Sequence, residues 1–490
     1  MRSAIAVVLI FASFQSLDCL HDTTNSRLNY FDVDLLRYSA EDKVGNVMVS
    51  PASIKSTLAM LLEGARGTTA AEIRTALRLS PNKEDFREEL SFFLQALEVN
   101  ISSTSLQNAN GLFVSKKLQL KKDYEMMAKR YYFSEVNKMD FTDPKTAANA
   151  INGWVSGKTQ GLIPTIIDQA NIDPQTELVV TNALYFKSAW KHEFDPKLTH
   201  GDCFYRDGVC KTVAMMDLEV ELNYAFIENL RAHALELPYQ GDQYSMILLV
   251  PQDRDAGVAL IRDLPYIGLL QISNMMEPTN VILTMPKFTV EYSDDMVATL
   301  KKMRISSVFD PSANLSGIFE GSSTACLKSF FHKVYMSVDE KGTVAAAASA
   351  VMVMPLINDQ VQLRVDRPFL FFIRDNAKGL VLFEGKIEEP TEFVAVNKKD
   401  ESPQKQPISD RSEVSQSNAI QHISRQPNPI QAIPIMIDPV VSRPVSSQQA
   451  ANPPITNPPI SNEPIPERTS TSAPSRRSGG WYKKISGYFG

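Results

Sequence analysis

The sequence predicts an α+β domain followed by a long extension that packs no core of its own. From about residue 28 to Pro390, segments with apolar residues at helical spacing alternate with short β-rich runs, and no low-complexity stretch interrupts them. Of the 490 residues, 43% are hydrophobic and 22% charged, which is ordinary globular composition. The net charge of -6 gives no reason to expect nucleic acid as a partner. Beyond Pro390 about half of the 29 prolines crowd into the last fifth of the chain, among Ser, Gln and Asn.

At the N-terminus, Arg2 precedes an apolar run from Ala4 to Phe14 and a small or polar stretch ending near Cys19. Residues 1–19 read as a secretory signal peptide, which makes the protein secreted and extracellular; a buried first helix is the alternative. "SIKSTLAMLLEGARG" carries apolar residues at helical spacing and stops at Gly64 and Gly67. "TELVVTNALYF", "YSMILLVP" and "GLVLFEGKI" are apolar runs of the kind that form buried strands. Export permits disulfides: Cys203 and Cys210 bracket "FYRDGV", whose Asp207-Gly208 is a hairpin-turn signal, so a local bridge is expected there, with two free thiols as the alternative. Cys326 is then unpaired and buried. Residues 393–490 read as a Pro-rich, disordered extension containing the imperfect repeat "NPPITNPPISNEPIP". Its tip, with Trp481, Tyr482, Tyr488 and Phe489 beside Lys483 and Lys484, suits docking on a partner or membrane surface, against the plain reading of a solvated chain end; a partner for the tail stays unknown.

No catalytic spacing is present: the sequence lacks a G-x-S-x-G elbow, an H-E-x-x-H pair, a phosphate loop and a C-x-x-C pair. The six His are scattered. The reading is therefore a protein that is not an enzyme and uses no cofactor and no metal. One stretch stands out instead, "EKGTVAAAASAVMVMPLIND" at residues 340–359, in which Gly342 precedes four consecutive alanines and β-branched Val351 and Val353 follow them.

Six segments in order resemble the serpin family of protease inhibitors: "NVMVSPASIKSTLAMLLEGARGTTAAEI" (46–73), "TNALYFKSAWKHEF" (181–194), "LELPYQGDQYSMILLVPQ" (235–252), "MPKFTVEY" (285–292), "HKVYMSVDEKGTVAAAA" (332–348) and "DRPFLFFIRD" (366–375). The resemblance implies a serpin domain over residues 20–392, built of three β-sheets and about nine helices with an exposed reactive loop. It implies that a target serine protease cuts the loop and that the hinge (Glu340, Gly342, Thr343, Val344, Ala345, Ala346, Ala347 and Ala348) then enters the central sheet as a strand, stranding the protease as an acyl-enzyme. The residues suit this: counting alternately from Thr343, the inward set Ala345, Ala347, Ser349, Val351 and Val353 buries no charge.

The family's usual count from Glu340 places the reactive site at Leu356-Ile357, preceded by Val351, Met352, Val353, Met354 and Pro355. A Leu at that position fits an apolar primary pocket, so the expected partner is a chymotrypsin-like or elastase-like protease met by a monomer. The alternative is a non-inhibitory relative acting as a binding or carrier protein. The resemblance also assigns Ser50, Ser53, Asn182 and His332 to a polar cluster where the sheet opens, and Trp190 to its top; the plain reading is buried polar groups satisfied by hydrogen bonds and a core Trp, with a weak pH dependence of opening through His332 as the lesser alternative. Ser188 and Arg304 stand where the family usually has Gly, and Asn314 where it usually has Asp. Asn314 and Asn100 head glycosylation sequons. The run holding Lys116, Lys117, Lys121 and Lys122 reads as a solvated face, with binding of a heparin-like polyanion as the alternative.

Overall fold

The computed structural model describes residues 30–94, 97, 100–101, 104–254, 256–264, 268–321, 325–343 and 360–394. Among them are nine α-helices: α1 (30–40), α2 (Pro51–Gly64), α3 (Gly67–Leu77), α4 (Lys83–Leu94), α5 (Lys122–Tyr132), α6 (Pro144–Lys158), α7 (Gly257–Asp263), α8 (Leu269–Met275) and α9 (Val297–Lys302). The helix expected from "SIKSTLAMLLEGARG" is α2: the Ser50 hydroxyl caps it by accepting from the Ser53 amide at 3.3 Å, and Pro51 sits in its first turn. All of its residues are buried. The N-cap Ser50 and the helix residues Ser53, Lys55 and Thr57 are satisfied inside the protein instead of by solvent, whereas the Ser56 hydroxyl has no hydrogen-bond partner among the described residues.

Hydrogen bonding assembles the described strands into two ladders. One holds, in spatial order, β11 (Phe288–Asp295), β12 (Ser329–Asp339), β13 (Gly342–Thr343), β5 (Leu178–Ala189), β3 (Thr104–Ser115) and β2 (Asn100–Ile101), with β4 (Glu135–Met139) also on β3. The other runs β1 (Val47–Val49), β16 (Leu380–Ile387), β15 (Phe369–Asp375), β9 (Tyr244–Pro251), β8 (Ala232–Pro238), β7 (Val209–Ile227), β10 (Glu277–Pro286) and β14 (Val361–Arg364), with β6 (His200–Arg206) on β7. The third sheet of the expectation is the β6-β7-β10-β14 end of this ladder, which the 19-residue β7 joins continuously to β8. Asp207 (φ 51°) and Gly208 (φ 74°) make the β6–β7 turn, and Cys203 and Cys210 are bonded across the hairpin; Cys326 is free and buried.

The first sheet is covered on both faces. Along β5 and β12 alternate residues go to opposite sides. Ala183 and Phe331 join the cluster under α6 with Phe113, Ile151 and Val155, while Asn182 and His332 face α2. The packed chain continues to Phe393, which lies against Gly201, one residue past the expected domain boundary. The expected signal segment 1–19 and residues 395–490 of the expected extension lie outside the described residues.

Candidate functional site: the sheet opening and the hinge

The site begins where β5 and β12 meet. They run side by side in parallel from Ser329 opposite Val179 to Tyr335 opposite Tyr185, which sets His332 directly beside Asn182. The His332 ring accepts from the Ser50 amide through Nε2 (3.1 Å), so Nδ1 carries the proton and donates to Asn182 Oδ1 (2.6 Å). Burial pushes the imidazole down to about 3, against the opposing hydrogen bond to Asn182, so the ring is neutral.

Asn182 Nδ2 in turn donates toward Ser53 Oγ (2.6 Å), Asn110 Oδ1 (2.7 Å) and Thr57 Oγ1 (3.1 Å). Ser53 donates to Asn110 Oδ1 (3.0 Å), and the Ser50 hydroxyl donates to the Leu382 carbonyl (2.7 Å). One buried network therefore ties α2, β3, β5, β12 and β16. Sequence reasoning placed Ser50, Ser53, Asn182 and His332 here but missed Thr57 and Asn110. Thr57 stands four residues after Ser53, on the same helix face, which was a readable signal; Asn110, a polar residue in an otherwise apolar strand, was a weaker one.

Above this network the two strands part to admit β13. After Asp339 the chain turns at Glu340-Lys341 and comes back between them: Thr343 pairs with Val338 on one side and Ser188 on the other, and Gly342 with Asp339 and Ala189. Gly342 has φ 140°, and a Cβ there would lie 2.3 Å from the Ser188 carbonyl oxygen. Both the backbone conformation and the space exclude a side chain. Thr343 is fully buried and shares a hydrogen bond with the Tyr239 hydroxyl (2.8 Å). Tyr239 stacks on Trp190 with centroids 4.4 Å apart, and Trp190 donates its indole N–H to the Asp339 carbonyl (3.0 Å). The turn is held from outside: Glu340 accepts from Thr199 Oγ1 (2.6 Å) and Lys287 Nζ (2.8 Å). Burial pushes the Glu340 carboxyl up, but these hydrogen bonds outweigh it and the net shift is downward.

Of the remaining expected site residues, Val344, Ala345, Ala346, Ala347 and Ala348, then Val351 to Pro355, and the reactive-site pair Leu356 and Ile357 lie outside the described residues, as does the side chain of Asn100. Ser188 shares a hydrogen bond with Thr104 (2.8 Å), and Arg304 takes φ 65°, the conformation that favours the Gly it replaces. Asn314 is exposed, its Oδ1 accepting from the Ser316 hydroxyl (2.7 Å). Lys116, Lys117 and Lys122 are exposed, while Lys121 donates to the Ser316 carbonyl (2.8 Å). Among the described residues no group of His, Cys, Asp and Glu is placed to hold a metal ion.

Residues 26–390 match the family model described as "Serpin (serine protease inhibitor)", and the chain belongs to the serpin family. Horse (Equus caballus) leukocyte elastase inhibitor is 34% identical over 376 residues, covering 74% of this chain and 98% of that protein. Human thyroxine-binding globulin, solved with bound thyroxine, superposes with a TM-score of 0.69 at 26% identity over 76% of this chain and 99% of that one. Native protease nexin-1, solved with heparin, does so with a TM-score of 0.68 at 28% identity over 75% and 99%. The fold is thus shared by a relative named as an inhibitor and by one named for binding thyroxine.

Proposed function

We propose that this protein is a secreted suicide-substrate inhibitor and not an enzyme, cleaved at Leu356-Ile357 by a chymotrypsin-like or elastase-like serine protease, which it traps by inserting its hinge between β5 and β12. The observation that carries the reading is β13: the first two residues of the inserting strand already sit between those strands, with Thr343 buried. Continuing its register pairs Ala345, Ala347, Ser349, Val351 and Val353 with Phe186, Leu184, Asn182, Val180 and Leu178, the full remaining length of β5. On the other side the same register brings Ser349 to His332. The one polar residue of the inward set thus arrives between the two polar groups that insertion separates, and a hydroxyl there replaces the hydrogen bond it breaks.

In the trapped state the protease serine is esterified to the Leu356 carbonyl, and dragging the enzyme deforms its oxyanion hole, where loss of one donor costs about 10²- to 10³-fold in rate. Glycans on exposed Asn314 and on Asn100 suit export. The lysines around 116–122 are offered as a weak site for polyanions, on the strength of their exposure and of the heparin-bound relative.

Thr343→Arg tests the mechanism. An unpaired charge at this buried seat costs several kcal/mol, so the variant is expected to be cleaved as a substrate without forming a denaturant-stable complex. Undiminished complex formation by the variant would remove insertion as the mechanism.

A further inference from the structure

A cavity of about 690 Å³ opens between the end of α1, the disulfide-closed β6–β7 hairpin, α7, and the start of β15 beside the end of β16. This is within the usual size range of small-molecule sites. It contains none of the hinge or polar-cluster residues. Its floor is aliphatic and aromatic: Leu260, Phe369 and Leu370 are buried, and Ile261 and Pro368 complete it.

The mouth is basic. Arg37, Lys43, Arg206, Arg254, Arg262 and Lys386 face three carboxylates, Glu41, Asp207 and Glu388, in a chain whose net charge is -6. Those three acids are engaged already: Glu41 by Lys302 (2.8 Å), Asp207 by Arg206 (3.4 Å) and Glu388 by Lys386 (2.8 Å). Arg37, Lys43, Arg206 and Arg262 also pair with acids outside the mouth, Asp34 (4.0 Å), Asp294 (3.2 Å), Glu389 and Asp263 (2.7 Å), which leaves the unbalanced charge around Arg254. Its guanidinium stacks on Tyr205 (3.7 Å to the ring centroid), which fixes its plane, and it pairs with Asp366 (2.9 Å), which also holds Arg367 (2.6 Å) and lies 3.9 Å from Arg364. Three guanidiniums thus share one carboxylate, while Arg254 stays half exposed beside the apolar floor.

We infer that this cavity binds a single amphipathic organic monoanion of the long-chain fatty-acid class, its carboxylate on Arg254 and its hydrocarbon body over Leu260, Ile261 and Phe369. An apolar body is matched by the floor, and one negative charge completes the Arg254-Asp366-Arg367 group. The site is separate from the inhibitory hinge, so its failure and that of the inhibitor reading are distinguishable.

The test is a fluorescence titration of the full chain with cis-parinarate, with displacement by oleate, oleylamine and oleyl alcohol. Expected are saturable binding, displacement by oleate ahead of the amine and the alcohol, and binding weakened about tenfold or more by Arg254→Glu. Val44→Trp, at an exposed lining position, should block the cavity without disturbing the core. Protease-complex formation should be unchanged in both variants. Absence of saturable binding, equal displacement by oleylamine, or binding unaffected by Val44→Trp would overturn the inference.

Discussion

Three ionisable side chains lie in the core where α1, α2 and β16 meet. Lys55 Nζ is 2.6 Å from Asp32 Oδ1, and Asp32, Lys55 and Glu384 are each at most 2% exposed. Burial pushes Asp32 up to about 6, with Lys55 opposing; burial and the neighbouring Asp32 push Glu384 well above its usual range, again with Lys55 opposing. Two raised carboxyls keep their protons in the fold when the unfolded chain has released them. Their contribution to stability is therefore complete below about pH 4 and is lost as pH rises through the folded values. Glu384→Met, which leaves the Asp32–Lys55 pair intact, should raise stability by about 1–3 kcal/mol at pH 8 and by less at pH 4. Lys55→Met leaves two facing carboxyls and should cost about 3–5 kcal/mol. Urea midpoints across that range check both. His332 has the opposite sign: its folded value is depressed, so its contribution is present above about pH 6.5 and lost as pH falls toward 3. Opening is therefore expected to be acid-promoted and flat above neutrality, and the slope between pH 6.5 and 4 should shrink in His332→Asn. The buried Glu384 was legible in principle, because "GLVLFEGKI" reads as a buried strand with one acid inside it.

At the scale of elements, the sequence was most informative where local chemistry decides the structure. The Ser50-Pro51 start of α2, the Asp207-Gly208 hairpin and the strands β5, β9 and β16 follow from caps, turn residues and apolar runs. β13 was not legible. Two residues carry no period, and their neighbours Ser188 and Ala189 are about 150 positions away, so only the assembled sheet defines the seat. Separations of 57 and 72 positions likewise hid Asn110 from its partners Ser53 and Asn182. Gly342→Ala is the element-scale prediction: a side chain at φ 140° against the Ser188 carbonyl should cost about 1–3 kcal/mol by denaturation and expel β13, slowing trapping of the protease. Unchanged stability together with unchanged trapping would show that the seat is not used.

For the molecule as a whole, six ordered motifs were enough to read the family, and the family match over residues 26–390 agrees with them. Glu392 still pairs with Val213, and Phe393 packs on Gly201, so a chain ending after Val394 keeps every described contact of the fold. Deleting residues 395–490 is expected to leave both thermal stability and inhibition unchanged; loss of inhibition would assign the extension a part in it. The most direct measurement of the central claim is incubation of the full chain with chymotrypsin, elastase and trypsin separately, followed by denaturing gels and mass spectrometry of the released peptide. The account predicts a denaturant-stable complex with the apolar-pocket enzymes and a peptide beginning at Ile357. Clean cleavage by all three without any complex would contradict it.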